Sequence, residues 1–156
     1  MTYEPHDYQQ YASTFIETHP VAAVLLQMGL GKTVITLTAL FNLLFDSFLI
    51  RKVLIIAPLR VARDTWPTEI KKWDHLNFLQ ASLAVGSTAE RISALKRKAD
   101  LYIINRENVQ WLIEDTALPF DFDMVVIDEL SSFKNHTSKR FRALMKRRPM
   151  VSRIVG

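Results

Sequence analysis

The sequence predicts an α/β fold in which a mostly parallel sheet is covered by helices on both faces. Short apolar runs of strand length alternate with segments of helical pattern, which is typical of right-handed crossovers between parallel strands. The runs are almost continuous in valine, leucine and isoleucine, as expected for strands buried on both sides. A glycine-rich loop stands between the first run and a helical segment. We expect all 156 residues to form one domain.

Six strands alternate with helices along the chain. The predicted strands are 21–26, 53–57, 79–85, 101–104, 124–127 and a last one that begins at 151. The predicted helices are 5–18, the segment from the glycine loop to about 48, 62–73, 87–99, 108–115 and 138–148. Pro67 interrupts the third helix and restarts it at Trp66 or Thr68, because proline lacks an N–H. Ser87 and Glu90 have the spacing of a capping box.

Composition narrows the functional class. Hydrophobic residues make up 49% and charged residues 23%, which is ordinary for a globular protein, and there are no cysteines. Disulfides and thiolate metal sites are therefore excluded, and the four histidines lack ligand spacing. Without a secretory signal or an uninterrupted membrane span, we expect a cytoplasmic or nucleoid-associated protein with no membrane partner. The net charge of +4 mildly favours a polyanionic partner.

The loop Gln27-Met28-Gly29-Leu30-Gly31-Lys32-Thr33 predicts a phosphate site. Glycines let backbone N–H groups approach an anion, and the next helix adds its positive end. Lys32 would contact the β- and γ-phosphates, and the Thr33 hydroxyl would bind magnesium. The first glycine of the usual pattern is replaced by Leu26. The alternative is a glycine-rich turn between a strand and a buried helix.

A pair of carboxylates follows the fifth strand. In a parallel sheet, ligands bind at the carboxyl ends of the strands, so Asp128 and Glu129 are expected to face the glycine loop. Magnesium uses few protein ligands, and Asp128 alone suffices, usually through water. Glu129 would orient or deprotonate the attacking water. Alone, the pair would be two solvated carboxylates; together with the loop, it predicts a site for ATP and Mg²⁺.

The motifs, in this order, resemble the first RecA-like lobe of superfamily two helicases and translocases, most closely the Swi/Snf-related branch. Residues 28–33 resemble the phosphate loop of that branch, which also lacks the first glycine. Tyr8-Gln9 resembles the Q motif, whose glutamine reads adenine. Further similar segments are 54–59 with Trp66, Glu69 and Lys72-Trp73 (motif Ia), 102–105 (motif Ib) and 128–135 (the Asp-Glu-x-His box). The resemblance covers nearly the whole chain.

The resemblance implies a P-loop NTPase lobe of a nucleic-acid-dependent ATPase, a DNA helicase or translocase that couples ATP hydrolysis to movement on DNA. Lys32, Asp128 and Glu129 would be catalytic, and Thr33 and Asp128 would hold Mg²⁺. The implied nucleotide-binding residues are Gln9, Met28, Gly29, Leu30, Gly31, Lys32 and Thr33. The implied nucleic-acid contacts are Pro58, Arg60, Arg63, Asn105, Arg106, Lys134 and Asn135. DNA is favoured over RNA.

Two departures from the family pattern affect the expected activity. Ser131 stands where the family has histidine, and the sequence stops at 153–156, before motif III. We therefore expect one lobe, truncated before motif III, whose partner is a second RecA-like lobe of the same protein. Because that lobe would supply the arginine fingers, the isolated lobe is expected to be nearly inactive.

Two other functions compete with this interpretation. One is a non-catalytic RecA-like module that binds nucleic acid or protein, against which the intact Lys32-Thr33 and Asp128-Glu129 pairs argue. The other is a different P-loop enzyme such as a small kinase, for which no arginine-rich lid segment is evident. The three tryptophans lie in helical patterns with apolar neighbours, which favours packing over base stacking.

Overall fold

A six-stranded, entirely parallel sheet runs through the computed structural model, which describes residues 1–22, 31–128 and 139–156. The strands are β1 (Val21–Ala22), β2 (Val53–Ala57), β3 (Ala81–Ala84), β4 (Leu101–Asn105), β5 (Met124–Ile127) and β6 (Arg153–Val155). Their order across the sheet is β1-β6-β5-β2-β4-β3. β2 is central and pairs with β4 on one side and β5 on the other.

Helical segments connect the strands. The regular helices are α1 (Asp7–Thr18), α2 (Lys32–Phe41), α3 (Trp66–Lys72), α4 (Thr88–Lys96) and α5 (Lys139–Lys146). Single π-helical turns cover Asn42–Asp46, Val61–Thr65 and Trp111–Asp115, and 3₁₀ turns cover Asp74–Leu76, Arg106–Asn108 and Arg148–Met150. No helix in the described ranges is long and apolar enough to cross a membrane.

Each face of the sheet carries its own hydrophobic cluster. Successive residues of a strand point to opposite faces. Val53, Ile55 and Ala57 of β2 therefore pack with α1, α2 and α3, whereas Leu54 and Ile56 pack with α4, the 111–115 turn and α5. All five β2 side chains are buried. The predicted fold class, a parallel sheet covered on both faces, is confirmed.

Several element ends differ from the sequence-based expectation. The helix after the glycine loop is regular only to Phe41 and continues as a π-helical turn to Asp46, short of residue 48. The third strand covers Ala81–Ala84 rather than 79–85, because its ladder with β4 runs only from Ala81 to Ala84. As expected from Pro67, α3 begins afresh at Trp66, and Pro67 occupies its first turn.

The predicted capping box at the start of α4 is confirmed. The Glu90 backbone N–H donates to Ser87 Oγ at 3.2 Å, and the Ser87 backbone N–H donates to Glu90 Oε1 at 3.4 Å. Gly86 precedes the box with φ +97°, a conformation that favours glycine. This connection turns the chain from the edge strand β3 into α4.

Candidate functional site

The carboxyl ends of three adjacent strands lie in line at one edge of the sheet. Ile56 of β2 pairs with Ile127 of β5, and Ala57 pairs with Asn105 of β4. The Asp128 backbone N–H donates to the Ile56 carbonyl oxygen at 2.8 Å, which extends this alignment by one residue. The structure therefore brings Asp128, Pro58 and Asn105, each predicted as a site residue from sequence alone, to the same edge.

Gly31 is the N-cap of α2 and has a left-handed conformation, with φ +73°. A Cβ at this position would lie 2.6 Å from Gln9 Nε2, so both the backbone conformation and the neighbouring amide favour glycine. Gln9 is 8% exposed, and its Oε1 accepts a hydrogen bond from the His6 backbone N–H at 2.9 Å. Ser13 Oγ donates to the Ile35 carbonyl at 3.1 Å, which joins α1 to α2. Gln9 is thereby held against the start of α2.

Lys32 and Thr33 form the first turn of α2 and are partly buried. This turn contains no acidic residue, so the positive end of the helix and the Lys32 ammonium both favour an anion. The remaining predicted site residues, namely Met28, Gly29, Leu30, Glu129, Lys134 and Asn135, lie outside the described residues. Their assignments stay predictions.

Asp128 has a partner that the sequence analysis missed. Trp66 Nε1 donates to Asp128 Oδ2 at 3.1 Å, and the Trp66 side chain is only 2% exposed. The expectation that Trp66 belongs to the core was right, but its polar atom was overlooked. A buried indole usually finds an acceptor for its N–H, so Trp66 should have prompted a search for a carboxylate or carbonyl.

The described residues fit a magnesium ion bound mainly by phosphate and water. Among them there is no group of three or more histidine, cysteine or acidic side chains that would form an all-protein cage. Magnesium is commonly held by one or two carboxylates together with substrate phosphates and waters. A carboxylate has about four acceptor positions, so the bond from Trp66 leaves Asp128 free to bind a cation or its water. The side-chain oxygens of Asp128 and Thr33 are of the hard type that magnesium prefers.

The segment after β2 carries exposed cations. Pro58 opens it, since its carbonyl accepts from the Ala62 N–H at 2.8 Å at the start of the Val61–Thr65 turn. Arg60 and Arg63 are exposed. Arg63 donates two hydrogen bonds to Asp64, at 3.0 and 3.2 Å, and these bonds raise the pKa of Arg63. The Asp64 carboxylate therefore offsets much of the Arg63 charge and interacts more weakly with Arg60, which leaves Arg60 as the stronger candidate for a phosphate contact.

The two other described candidates for nucleic-acid contact follow β4. Asn105 is 6% exposed, and its Oδ1 accepts from Asn108 Nδ2 at 2.7 Å. Arg106, the next residue, is partly buried. Asn105 thus lies at the predicted edge but presents little surface, and its bond to Asn108 fits a role in shaping the loop.

Comparison with known proteins gives one family match and several relatives. Residues 21–154 match the profile of the SNF2-related domain. The putative protein p41 of Acyrthosiphon pisum secondary endosymbiont phage 1 is 35% identical over 150 residues, which is 93% of this chain and 33% of that protein. The DNA repair and recombination protein RAD54 of Oryza sativa subsp. japonica is 26% identical over 139 residues, or 80% of this chain and 14% of that protein.

A solved structure shares the fold. The SWI2/SNF2 ATPase core of Sulfolobus solfataricus, determined in complex with dsDNA, superimposes with a TM-score of 0.74 at 21% identity. The match covers 99% of this chain and 32% of that one. The chain therefore spans about a third or less of the proteins that it matches.

Proposed function

Because the chain belongs to the SNF2-related domain family, we propose that it is the ATP-binding lobe of a DNA-dependent ATPase that couples hydrolysis to movement on DNA. The observation that carries this proposal is the shared edge of the sheet, where Asp128 lies beside the segment that follows β2 and the segment that follows β4 comes next. One edge thus has a carboxylate suited to magnesium and an exposed cation suited to a phosphate backbone. The dsDNA in the archaeal structure and the DNA-repair name of the rice relative favour DNA.

Each side chain has a role in this proposal. Lys32 would donate to the β- and γ-phosphates from the first turn of α2, and Thr33 and Asp128 would hold the metal. When bound, Mg²⁺ would neutralise charge on the phosphate oxygens. Glu129 would accept a proton from, or orient, the attacking water. Gln9 would border the nucleotide from α1, since its amide lies against Gly31.

A second lobe would complete the catalytic site. The resemblance to superfamily two translocases implies that arginine fingers come from that lobe, and such an arginine is typically worth about 10³-fold or more in rate. We therefore propose that this chain binds nucleotide but turns it over slowly by itself. In the full protein, closure of one lobe on the other during hydrolysis would drive stepping along DNA.

The test is titration of the chain with Mg-ATP by calorimetry. Lys32→Ala removes a charged donor and should weaken binding by about 10- to 100-fold, since hydrogen bonds to charged groups contribute about 1.5–3 kcal/mol. Lys96→Ala, which removes an exposed lysine from the last turn of α4, is the matched control and should bind like the wild type. Equal affinity of the wild type and Lys32→Ala would refute the site assignment.

A second measurement addresses the nucleic acid. Binding of a short DNA duplex, followed by fluorescence anisotropy, should weaken steeply between about 50 and 200 mM salt because phosphate contacts release counterions. Arg60→Ala should lower the magnitude of the log–log salt slope by about 1, and Lys96→Ala should not. DNA binding without any nucleotide binding would favour the competing function, a non-catalytic RecA-like module.

A further inference from the structure

The contact between Trp66 and Asp128 joins two parts of the molecule that the proposed function keeps separate. Asp128 follows β5 and is the proposed magnesium carboxylate. Trp66 begins α3, 62 residues earlier in the chain, and its N–H donates to Asp128 Oδ2 at 3.1 Å. This distance is within the normal range for a hydrogen bond. Because Trp66 is only 2% exposed, little of the indole is accessible to water.

Trp66 is also the last residue of the backbone segment that carries the exposed arginines. The turn begins where the Ala62 N–H donates to Pro58, and it closes where the Trp66 N–H donates to the Val61 carbonyl. Arg60 is exposed on this segment, and Ala62 is fully buried in the core beneath it. Residues 58–66 therefore form one hydrogen-bonded unit, which carries the exposed Arg60, the proposed DNA contact, and an indole that donates to Asp128, the proposed magnesium carboxylate.

We propose that Trp66 is a positioning residue for Asp128, and that through its indole N–H the binding of DNA to residues 58–66 changes the affinity for magnesium-nucleotide. This inference rests on the proposed function, since it needs both ligands. Groups that donate to a metal-binding side chain fix its orientation, and their loss typically costs about 10- to 100-fold in metal affinity or activity. By thermodynamic linkage, if DNA changes the affinity for magnesium-nucleotide by some factor, magnesium-nucleotide changes the affinity for DNA by the same factor.

The first experiment separates positioning from packing. Trp66→Phe keeps an aromatic ring in the core but removes the N–H. The matched control is Trp73→Phe, because Trp73 Nε1 also donates to a carboxylate, that of Glu69 on α3. At fixed ATP, Trp66→Phe should raise the Mg²⁺ concentration for half-maximal nucleotide binding about tenfold, and Trp73→Phe should leave it unchanged. Equal Mg²⁺ requirements in the three proteins would overturn the positioning role.

A measurement on the unmodified chain covers the case in which Trp66→Phe does not fold. The ¹⁵N–¹H indole resonances of the three tryptophans are well suited to this, and that of Trp66 is expected to shift when Mg-ATP is added. The resonance of Trp73, which donates to Glu69, should move less. A Trp66 resonance that stays fixed while Mg-ATP saturates the protein would overturn the inference.

The second experiment measures the coupling itself. The Mg-ATP dissociation constant is determined with and without saturating duplex DNA, and the ratio in the wild type should be about fivefold or more, the lower end of typical allosteric coupling. In Trp66→Phe the ratio should approach one, whereas Trp73→Phe should keep the wild-type ratio. A ratio of one in the wild type, or an unchanged ratio in Trp66→Phe, contradicts the coupling.

Failure of the inference is distinguishable from failure of the proposed function. A wild-type chain that binds neither Mg-ATP nor DNA would refute the proposed function, and the inference with it. A wild-type chain that binds both, with the binding of Mg-ATP sensitive to Lys32→Ala but not to Trp66→Phe, would leave the proposed function in place and refute the role of Trp66 alone.

Discussion

Replacement of Gly31 by alanine is expected to destabilise the fold through backbone strain and two close contacts at the start of α2. The residue has φ +73°, a left-handed conformation that is unfavourable for alanine. The new methyl group would also lie 2.6 Å from Gln9 Nε2 and 3.3 Å from Val34 Cγ1. Because Gln9 is the flexible partner, its amide is expected to move and to lose its bond to the His6 N–H.

The magnitude follows from three contributions. The left-handed conformation costs alanine about 1–2 kcal/mol. Loss of the Gln9–His6 hydrogen bond adds about 1 kcal/mol. The alanine also reduces the conformational entropy of the unfolded chain, which offsets about 0.4–1 kcal/mol. We therefore expect the free energy of unfolding to fall by about 1–2.5 kcal/mol.

Urea unfolding monitored by circular dichroism measures this change. In a background of Gln9→Ala the methyl group meets no amide, so Gly31→Ala should cost about 1 kcal/mol less there than in the wild type. Gly86→Ala is the control for the site: Gly86 has φ +97°, and its Cβ would lie 2.9 Å from Glu90 Oε2, the capping-box carboxylate of α4. The Gly86→Ala protein should lose a similar amount of unfolding free energy to Gly31→Ala, while its affinity for Mg-ATP stays at the wild-type value. A Gly31→Ala chain as stable as the wild type would refute the reasoning.

Three further predictions concern stability. Burial lowers the pKa of His75, so the folded chain favours the neutral ring. The stability gained from keeping this ring neutral is present above about pH 6.5, the ordinary pKa of histidine, and is lost as the pH falls below that value. Urea titrations from pH 7.5 to 5.5 should therefore show a smaller decrease in the free energy of unfolding for His75→Gln than for the wild type. Ser87→Ala should lower the free energy of unfolding by about 1 kcal/mol through loss of the helix cap. Ser93→Ala, at an exposed position of α4, should change the free energy of unfolding by less than about 0.5 kcal/mol. Equal effects of the two substitutions in urea melts would contradict the capping role. Arg153→Met removes two hydrogen bonds, at 3.3 and 3.0 Å, to carbonyls in the last turn of α1 and should lower the thermal midpoint through a loss of about 1–2 kcal/mol, which Arg51→Met, at an exposed position before β2, should not reproduce.

The strands and the start of α4 were accessible from local sequence patterns. Val53–Ala57, Leu101–Asn105 and Met124–Ile127 are apolar runs whose buried positions follow from their continuity. The start of α4 was predicted because Ser87 and Glu90 are only three residues apart and form a local motif. Element ends were less accessible. The predicted strand 79–85 is limited to Ala81–Ala84 by its pairing with β4, and pairing is a property of two strands that one local pattern does not contain.

By itself, the sequence determined the alternation of strands and helices, the glycine at the start of α2 and the carboxylate after the fifth strand, because each depends on residues within a few positions of one another. Only the tertiary structure decided which distant groups meet. Gln9 contacts Gly31 because α1 packs on α2, and Trp66 reaches Asp128 because β2 and β5 are neighbours in register. No periodicity encodes such contacts: they depend on strand order and register, which are set by the packing of the whole sheet.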